Sequence, residues 1–398
     1  MILKQKQYDY IFYTFLSILV VVLLFVSNTL SISYKEALNV FINTSVLTFI
    51  TNTSLYIFGQ NDVALRLPFI VFYILSVLLM YKMTENYFRY EKDRLIAISI
   101  FMLLPGVISA SLLVNSAIIV IFFTLLYLYY YEKNGTHSYI LLVLFLFIDN
   151  SFAILFLALF FYSLKNKDSK LMLISLALFS ISMYIYGFET NGKPRGYFLD
   201  TFAIYSTIFS PFLFLYFVYS IYRIGLKEEK NLTWYISSTA LLLSLLFSFR
   251  QRIYIEDFGP YVVVSLPFML RSFFHSYRIR LDEFRRNHKI GVFLVISMLI
   301  LNVSLTIINK PLYLILPNIK KHFVYKYHFA KELAYELKKR NIKYVYCDDR
   351  ELLLRLKFYG IEEGNGYYIS LNKFDEYNEK ITIKYYNKEL LDLFLLKL

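Results

Sequence analysis

The chain has 398 residues, 58% of them hydrophobic and only 18% charged. Soluble domains carry about 45–50% apolar and about 25% charged residues. Apolar runs of roughly 18 or more residues recur along most of this chain, so it reads as a polytopic α-helical membrane protein. Its net charge of +13 sits mostly in short loops between those runs, which points to membrane orientation and away from nucleic acid, and its single cysteine, Cys347, excludes an internal disulfide.

At the start, Lys4 and Lys6 precede an apolar run with no clear small-residue cleavage site, which reads as a retained first span. Hydropathy gives about eleven spans, near 10–28, 67–83, 95–113, 116–131, 138–149, 151–164, 171–187, 203–222, 233–249, 259–273 and 290–313. Only Asp149-Asn150-Ser151 separates the fifth from the sixth. Pro105-Gly106 and Pro211 are expected to kink their spans. The 38 Tyr and 39 Phe read either as part of a composition rich in Lys, Asn, Ile and Tyr or as aromatic belts and sugar-stacking platforms; many Tyr fall at span ends, where the interface favours them.

Basic residues concentrate in loops 82–94, 165–170, 223–230 and 271–289; the alternate loops hold Lys35, Arg66, Lys193, Arg195, Arg250 and Arg252. This asymmetry, roughly three to one, places the N-terminus in the cytoplasm, and an odd number of spans then places the C-terminal tail outside. The expected domains are a membrane domain, 1–316, and an extracytoplasmic α/β domain, 317–398. In the tail, 327–340 has helical spacing, 342–347 alternates as a strand, and 351–359 reads as a second helix ended by Gly360. Gly364 and Gly366 mark a turn before Tyr367, and 381–385 is a further strand.

The chemistry-bearing residues gather on the expected outer face. Glu36 opens a short amphipathic stretch with Ala37, Leu38, Phe41 and Ile42. A carboxylate there can take a proton from an acceptor hydroxyl, or it is an ordinary acid in a helix's first turn, favoured by the dipole. Arg66, Arg250, Arg252, Lys193 and Arg195 suit a phosphate, to which Arg offers paired donors; the alternative is pairing with Glu189, Asp200, Glu256 and Asp257, or with lipid headgroups. The five histidines are scattered, none at metal-ligand spacing on one face, and His322 and His328 read as surface residues. No phosphate-binding glycine loop or nucleotide fingerprint is present.

The first outer loop resembles that of the GT-C glycosyltransferases, especially the protein O-mannosyltransferases and the lipid A aminoarabinose transferase. The resemblance rests on Ile57-Phe58-Gly59-Gln60-Asn61-Asp62-Val63-Ala64-Leu65-Arg66-Leu67-Pro68 and more loosely on 250–260. It departs from the family where Lys35 stands in place of the first acid of a pair, leaving Glu36, and where 48–56 replaces an E-K-P-P segment. The resemblance implies an inverting transferase of the bacterial inner membrane. It would move a sugar from a polyprenyl-phosphate donor to an extracytoplasmic lipid, protein or glycan. Glu36, or Asp62, would be the acid, and Arg66, Arg250, Arg252, Lys193, Arg195 and Lys35 the lipid-phosphate contacts. Some relatives use a divalent metal; with one clear acid in the loop, none is expected here. The alternative is a catalytically inactive protein of the same fold, serving as a lipid-glycan carrier or assembly scaffold.

Overall fold

The computed structural model describes residues 2–187, 196–374, 376–386 and 388–398. Its contacts divide it into two compact units: 1–20, 69–111 and 115–303 form the first, and 21–68, 112–114 and 304–398 the second. The expected boundary at 316/317 does not coincide with this division: the last segment of the second unit begins at 304, and that unit also takes in 21–68 and 112–114.

The helices follow in chain order: α1 (Ile2–Thr29), α2 (Tyr34–Phe41), α3 (Val46–Phe58), α4 (Asp62–Met83), α5 (Glu91–Met102), α6 (Pro105–Leu112), α7 (Ala117–Asn134) and α8 (Tyr139–Phe145). Next come α9 (Phe152–Asn166), α10 (Ser169–Tyr186), α11 (Phe198–Phe209), α12 (Pro211–Lys227), α13 (Leu232–Ser248), α14 (Ile255–Val263), α15 (Leu266–Ile279), α16 (Asp282–Ile307) and α17 (Leu312–Ile315). Lipid offers no partner to a backbone N–H or C=O, so apolar runs in such a chain close their hydrogen bonds within helices.

The eleven expected spans resolve differently. Among the described residues, four helices are long and apolar enough to cross a membrane: Lys6–Thr29, Asp62–Met83, Ser169–Tyr186 and His288–Ile307. Counting each bent pair as one span raises the number to seven. The pair α5 and α6 bends by 50° before Pro105, and α11 and α12 by 105° at Ser210-Pro211. Proline cannot donate to the preceding turn, so both bends fall where the sequence predicts them. The third pair, α2 and α3, bends by 85° inside the stretch expected to be an outer loop. Expected span 138–149 supplies only the seven residues of α8, and 259–273 is broken into α14 and α15.

In the first unit, α9 packs against α10 and α13, and α14 against α13 and α7. Small hydroxyls close its polar contacts: Tyr205 Oη donates to Ser244 Oγ at 2.8 Å, and Ser237 Oγ donates to the Tyr261 carbonyl at 2.8 Å. Such side chains let helices approach closely where no water is available.

In the second unit, α18 (Ala330–Lys339) and α19 (Arg350–Phe358) pack on a five-stranded sheet ordered β2-β1-β3-β5-β4. The strands are β1 (Tyr344–Tyr346), β2 (Glu362–Glu363), β3 (Tyr367–Ser370), β4 (Glu379–Tyr385) and β5 (Lys388–Lys397). Leu333 and Leu337 from α18 and Leu352 and Leu356 from α19 meet Val345, Ile369, Ile381 and Leu393 in one core. The expected helices and strands of the tail are present within a few residues, and Gly360 ends α19 at φ +79°. The long strand β5 was not expected. It pairs antiparallel to β3 and to β4, and its Leu-Leu-Asp-Leu-Phe-Leu-Leu run lacks alternation because Leu393, Phe394 and Leu395 are buried in succession, so both faces are covered there.

Gly366 enables the parallel β1–β3 pairing. A Cβ there would lie 2.8 Å from the Tyr344 carbonyl oxygen, a backbone atom that cannot rotate away. Gly366→Ala is expected to destabilise the sheet by about 1–3 kcal/mol, read as faster limited proteolysis of the tail in the full-length protein. Cleavage at the parental rate would contradict this packing.

Candidate functional site

The residues that the sequence singles out in the first loop converge within the second unit, around the end of α1. An α-helix leaves its last four carbonyls without partners and its C-terminus partly negative. Here Arg66 and Lys331 answer that need. Arg66 Nη1 donates to the Ser27 and Leu30 carbonyls at 3.1 and 2.9 Å, and Nη2 to Ser31 at 3.1 Å. Lys331 Nζ donates to the Asn28 carbonyl at 2.8 Å.

Glu36 closes the start of α2. Ser33 is the N-cap, and the two residues form a reciprocal capping box: the Ser33 N–H donates to Glu36 Oε2 at 2.9 Å, and the Glu36 N–H to Ser33 Oγ. Oε2 also receives Arg66 Nη2 at 3.2 Å, and Oε1 receives the Val114 N–H at 3.2 Å. Asp62 stands in the first turn of α4, again where a helix favours an acid. Its Oδ1 accepts from Tyr359 Oη at 2.6 Å and lies 3.8 Å from Arg66 Nη1; its Oδ2 pairs with Lys331 Nζ at 2.8 Å. One guanidinium thus lies between two carboxylates, each at a helix N-terminus. Glu36, Asp62 and Arg66 are all buried, Arg66 completely.

The rest of the 57–68 motif supports this arrangement. Asn61 Oδ1 caps α4 by accepting the Ala64 N–H at 2.8 Å. Pro68 has no N–H for the Ala64 carbonyl four residues before it, and Ser54 Oγ from α3 fills that place at 2.6 Å. Gly59 adopts φ +81°, a conformation glycine accepts most readily, at the end of α3.

Sequence reasoning missed the contributions from the tail. Arg355 donates from Nε to the Ile32 carbonyl and from Nη2 to the His328 carbonyl, both at 2.8 Å. Tyr359 Oη accepts the Ile32 N–H at 2.9 Å, and the Ser31 N–H donates to the Tyr327 carbonyl at 2.9 Å. One signal was present in the sequence. Arg355 falls between Leu352 and Leu356 on the apolar face of α19, where a charge is costly unless paired.

Lys35 is exposed on α2. Arg250 and Arg252 belong to the first unit, exposed between α13 and α14. Lys193 and Arg195 lie outside the described residues. For Arg66 the finding differs from the expected phosphate contact: both terminal nitrogens already donate to protein oxygens, because they cap α1. Among the described residues, no three of His, Cys, Asp and Glu converge as metal ligands.

His322 and His328 are buried, contrary to the expected surface placement. Tyr313 Oη and His328 Nδ1 are 2.8 Å apart, and the Tyr313 ring stacks on His322 with centroids 4.1 Å apart. Burial first, then the charges of Lys310, His322 and Arg355, hold the His328 imidazole down to about 3. The unfolded chain therefore binds a proton below about pH 6.5 that the folded chain refuses, and stability falls as the pH drops from there towards 3. Thermal unfolding between pH 7 and 5.5 is expected to show this slope, and His328→Gln to flatten it even if it lowers the melting temperature throughout. An unchanged slope would contradict the assignment. No protein-family model matches this sequence, and no curated protein matches it.

Proposed function

We propose that this chain is a membrane glycosyltransferase of the GT-C type, taking a sugar from a polyprenyl-phosphate donor and passing it to an extracytoplasmic lipid, protein or glycan. The reading places it in a bacterial inner membrane, with the N-terminus cytoplasmic and the tail periplasmic. Its supports are the resemblance of 57–68, the helices long enough to cross a membrane, and two buried carboxylates, Glu36 and Asp62, gathered where the first one ends.

The observation that carries it furthest is the setting of Asp62 Oδ2. Its partner Lys331 has a side chain 39% exposed, so one swinging side chain separates this oxygen from solvent. The oxygens of Glu36, by contrast, are held by two backbone N–H groups and Arg66. The role first given to Glu36 therefore passes to Asp62. In the proposed reaction the donor phosphate draws Lys331 to itself. Asp62 Oδ2, set free, accepts the proton of the acceptor hydroxyl. The acceptor oxygen attacks the anomeric carbon from the face opposite the phosphate, the bond from carbon to phosphate oxygen breaks, and Lys331 offsets the charge left on the lipid phosphate. Glu36 and Arg66 position the turn without touching the reacting atoms.

The second reading, a carrier or scaffold without catalysis, draws on the same contacts: both carboxylates already accept protein donors. Glycan profiles of cells carrying Asp62→Asn separate the two. The enzyme reading expects transfer to fall by about 10²–10⁴-fold at unchanged protein level. A normal profile with Asp62→Asn, alongside loss of glycan on deletion of the whole gene, would favour the carrier. A normal profile on deletion would sink both.

A further inference from the structure

A polar cavity of about 1090 Å³ lies in the first unit and has no part in the chemistry above. It is walled by three segments that the sequence marks as basic: 87–93, 223–231 and 268–279. The last is one face of α15, where Phe268, Arg271, His275 and Arg278 recur at three- and four-residue spacing.

Its charges fall into two groups. Arg223 pairs with Glu228 at 3.6 Å, and Arg278 pairs with the buried Asp93 while lying 4.1 Å over the Tyr90 ring. These hold the wall together. Arg89, Lys230 and Arg271 have no carboxylate partner among the described residues, and Arg89 and Lys230 lie only over the Tyr90 and Trp234 rings. Glu229 is the one lining acid outside the two ion pairs. The cavity therefore keeps an excess of positive charge after its internal pairs are counted. Its other wall is apolar, with Phe88 and Phe274 rings 6.1 Å apart, and Ile279 and Leu281 exposed beside it.

We propose that this cavity binds the phosphate headgroup of an anionic membrane lipid, with the acyl chains leaving along the Ile279 and Leu281 side. Three facts select that ligand. The unpaired cations match a phosphate, whose oxygens accept paired guanidinium donors. The aromatic and aliphatic wall suits glycerol and the first methylenes, a combination a free inorganic anion would not use. Basic pockets between helices at the cytoplasmic end, where the positive-inside rule puts these segments, are favoured places for anionic headgroups.

Native mass spectrometry of the purified full-length protein tests this, using phosphatidylglycerol against zwitterionic phosphatidylcholine. The wild type is expected to retain phosphatidylglycerol preferentially. The double variant Arg89→Gln/Arg271→Gln removes two exposed, unpaired cations, and is expected to weaken retention roughly fivefold for each. Arg286→Gln, in the same basic stretch but outside the cavity lining, is expected to change nothing. Equal retention by the double variant, or an equal loss in Arg286→Gln, would overturn the proposal. Displacement of the lipid by millimolar inorganic phosphate would also overturn it, by assigning the site to a soluble anion. Unchanged elution and thermal unfolding of the variants confirm that any loss is local.

Discussion

A buried guanidinium organises the second unit. Removing Arg66 from water is costly, and its burial is offset because its two terminal nitrogens meet the open carbonyls at the end of α1 and the carboxylate of Glu36, with Asp62 close by. Each partner is itself fixed by helix chemistry: carbonyls at a C-terminus, acids in first turns. The chain reversal after α1, the start of α2 and the start of α4 are therefore set by one side chain. The tail completes this arrangement rather than hanging from it, since Arg355, Tyr359 and Lys331 bond the same turn.

This arrangement gives the first-loop motif a structural meaning beyond resemblance. Asn61 caps a helix, Asp62 sits in its first turn, Arg66 reaches back one turn and across to α1, and Pro68 leaves a carbonyl that Ser54 fills. These contacts alone account for the spacing of the motif. The motif therefore supports an architecture first and a reaction second. Asp62 is the position where the two meet, since one of its oxygens is held by an exposed lysine.

Much of the tail was legible because its elements are short, amphipathic and punctuated by glycine. The strand β5 was not, since a strand covered on both faces, as at Leu393, Phe394 and Leu395, loses its alternation. Hydropathy read the apolar runs, and Pro105 and Pro211 marked where two of them bend but not by how much. The run 203–222 reads as one kinked span, whereas Ser210 takes φ +80° and the chain turns by 105°. Glu36, Asp62 and Arg66 could be nominated from the loop alone. Their partners could not, because Tyr359 lies 297 residues from Asp62 and nothing local in α19 records that distance. Hydrogen-bond geometry assigns Arg66 to the protein's own carbonyls.

The claim that Arg66 and Glu36 act as one internal fastener is tested most directly by a double-mutant cycle. Stability of the full-length protein would be measured for Glu36→Gln, Arg66→Met and the pair together. Leaving either charge buried without its partner should cost about 3–5 kcal/mol, and the double variant should recover part of that, with a coupling of about 1–3 kcal/mol. Additive effects within about 0.5 kcal/mol would show that the two side chains do not depend on each other and would contradict the account.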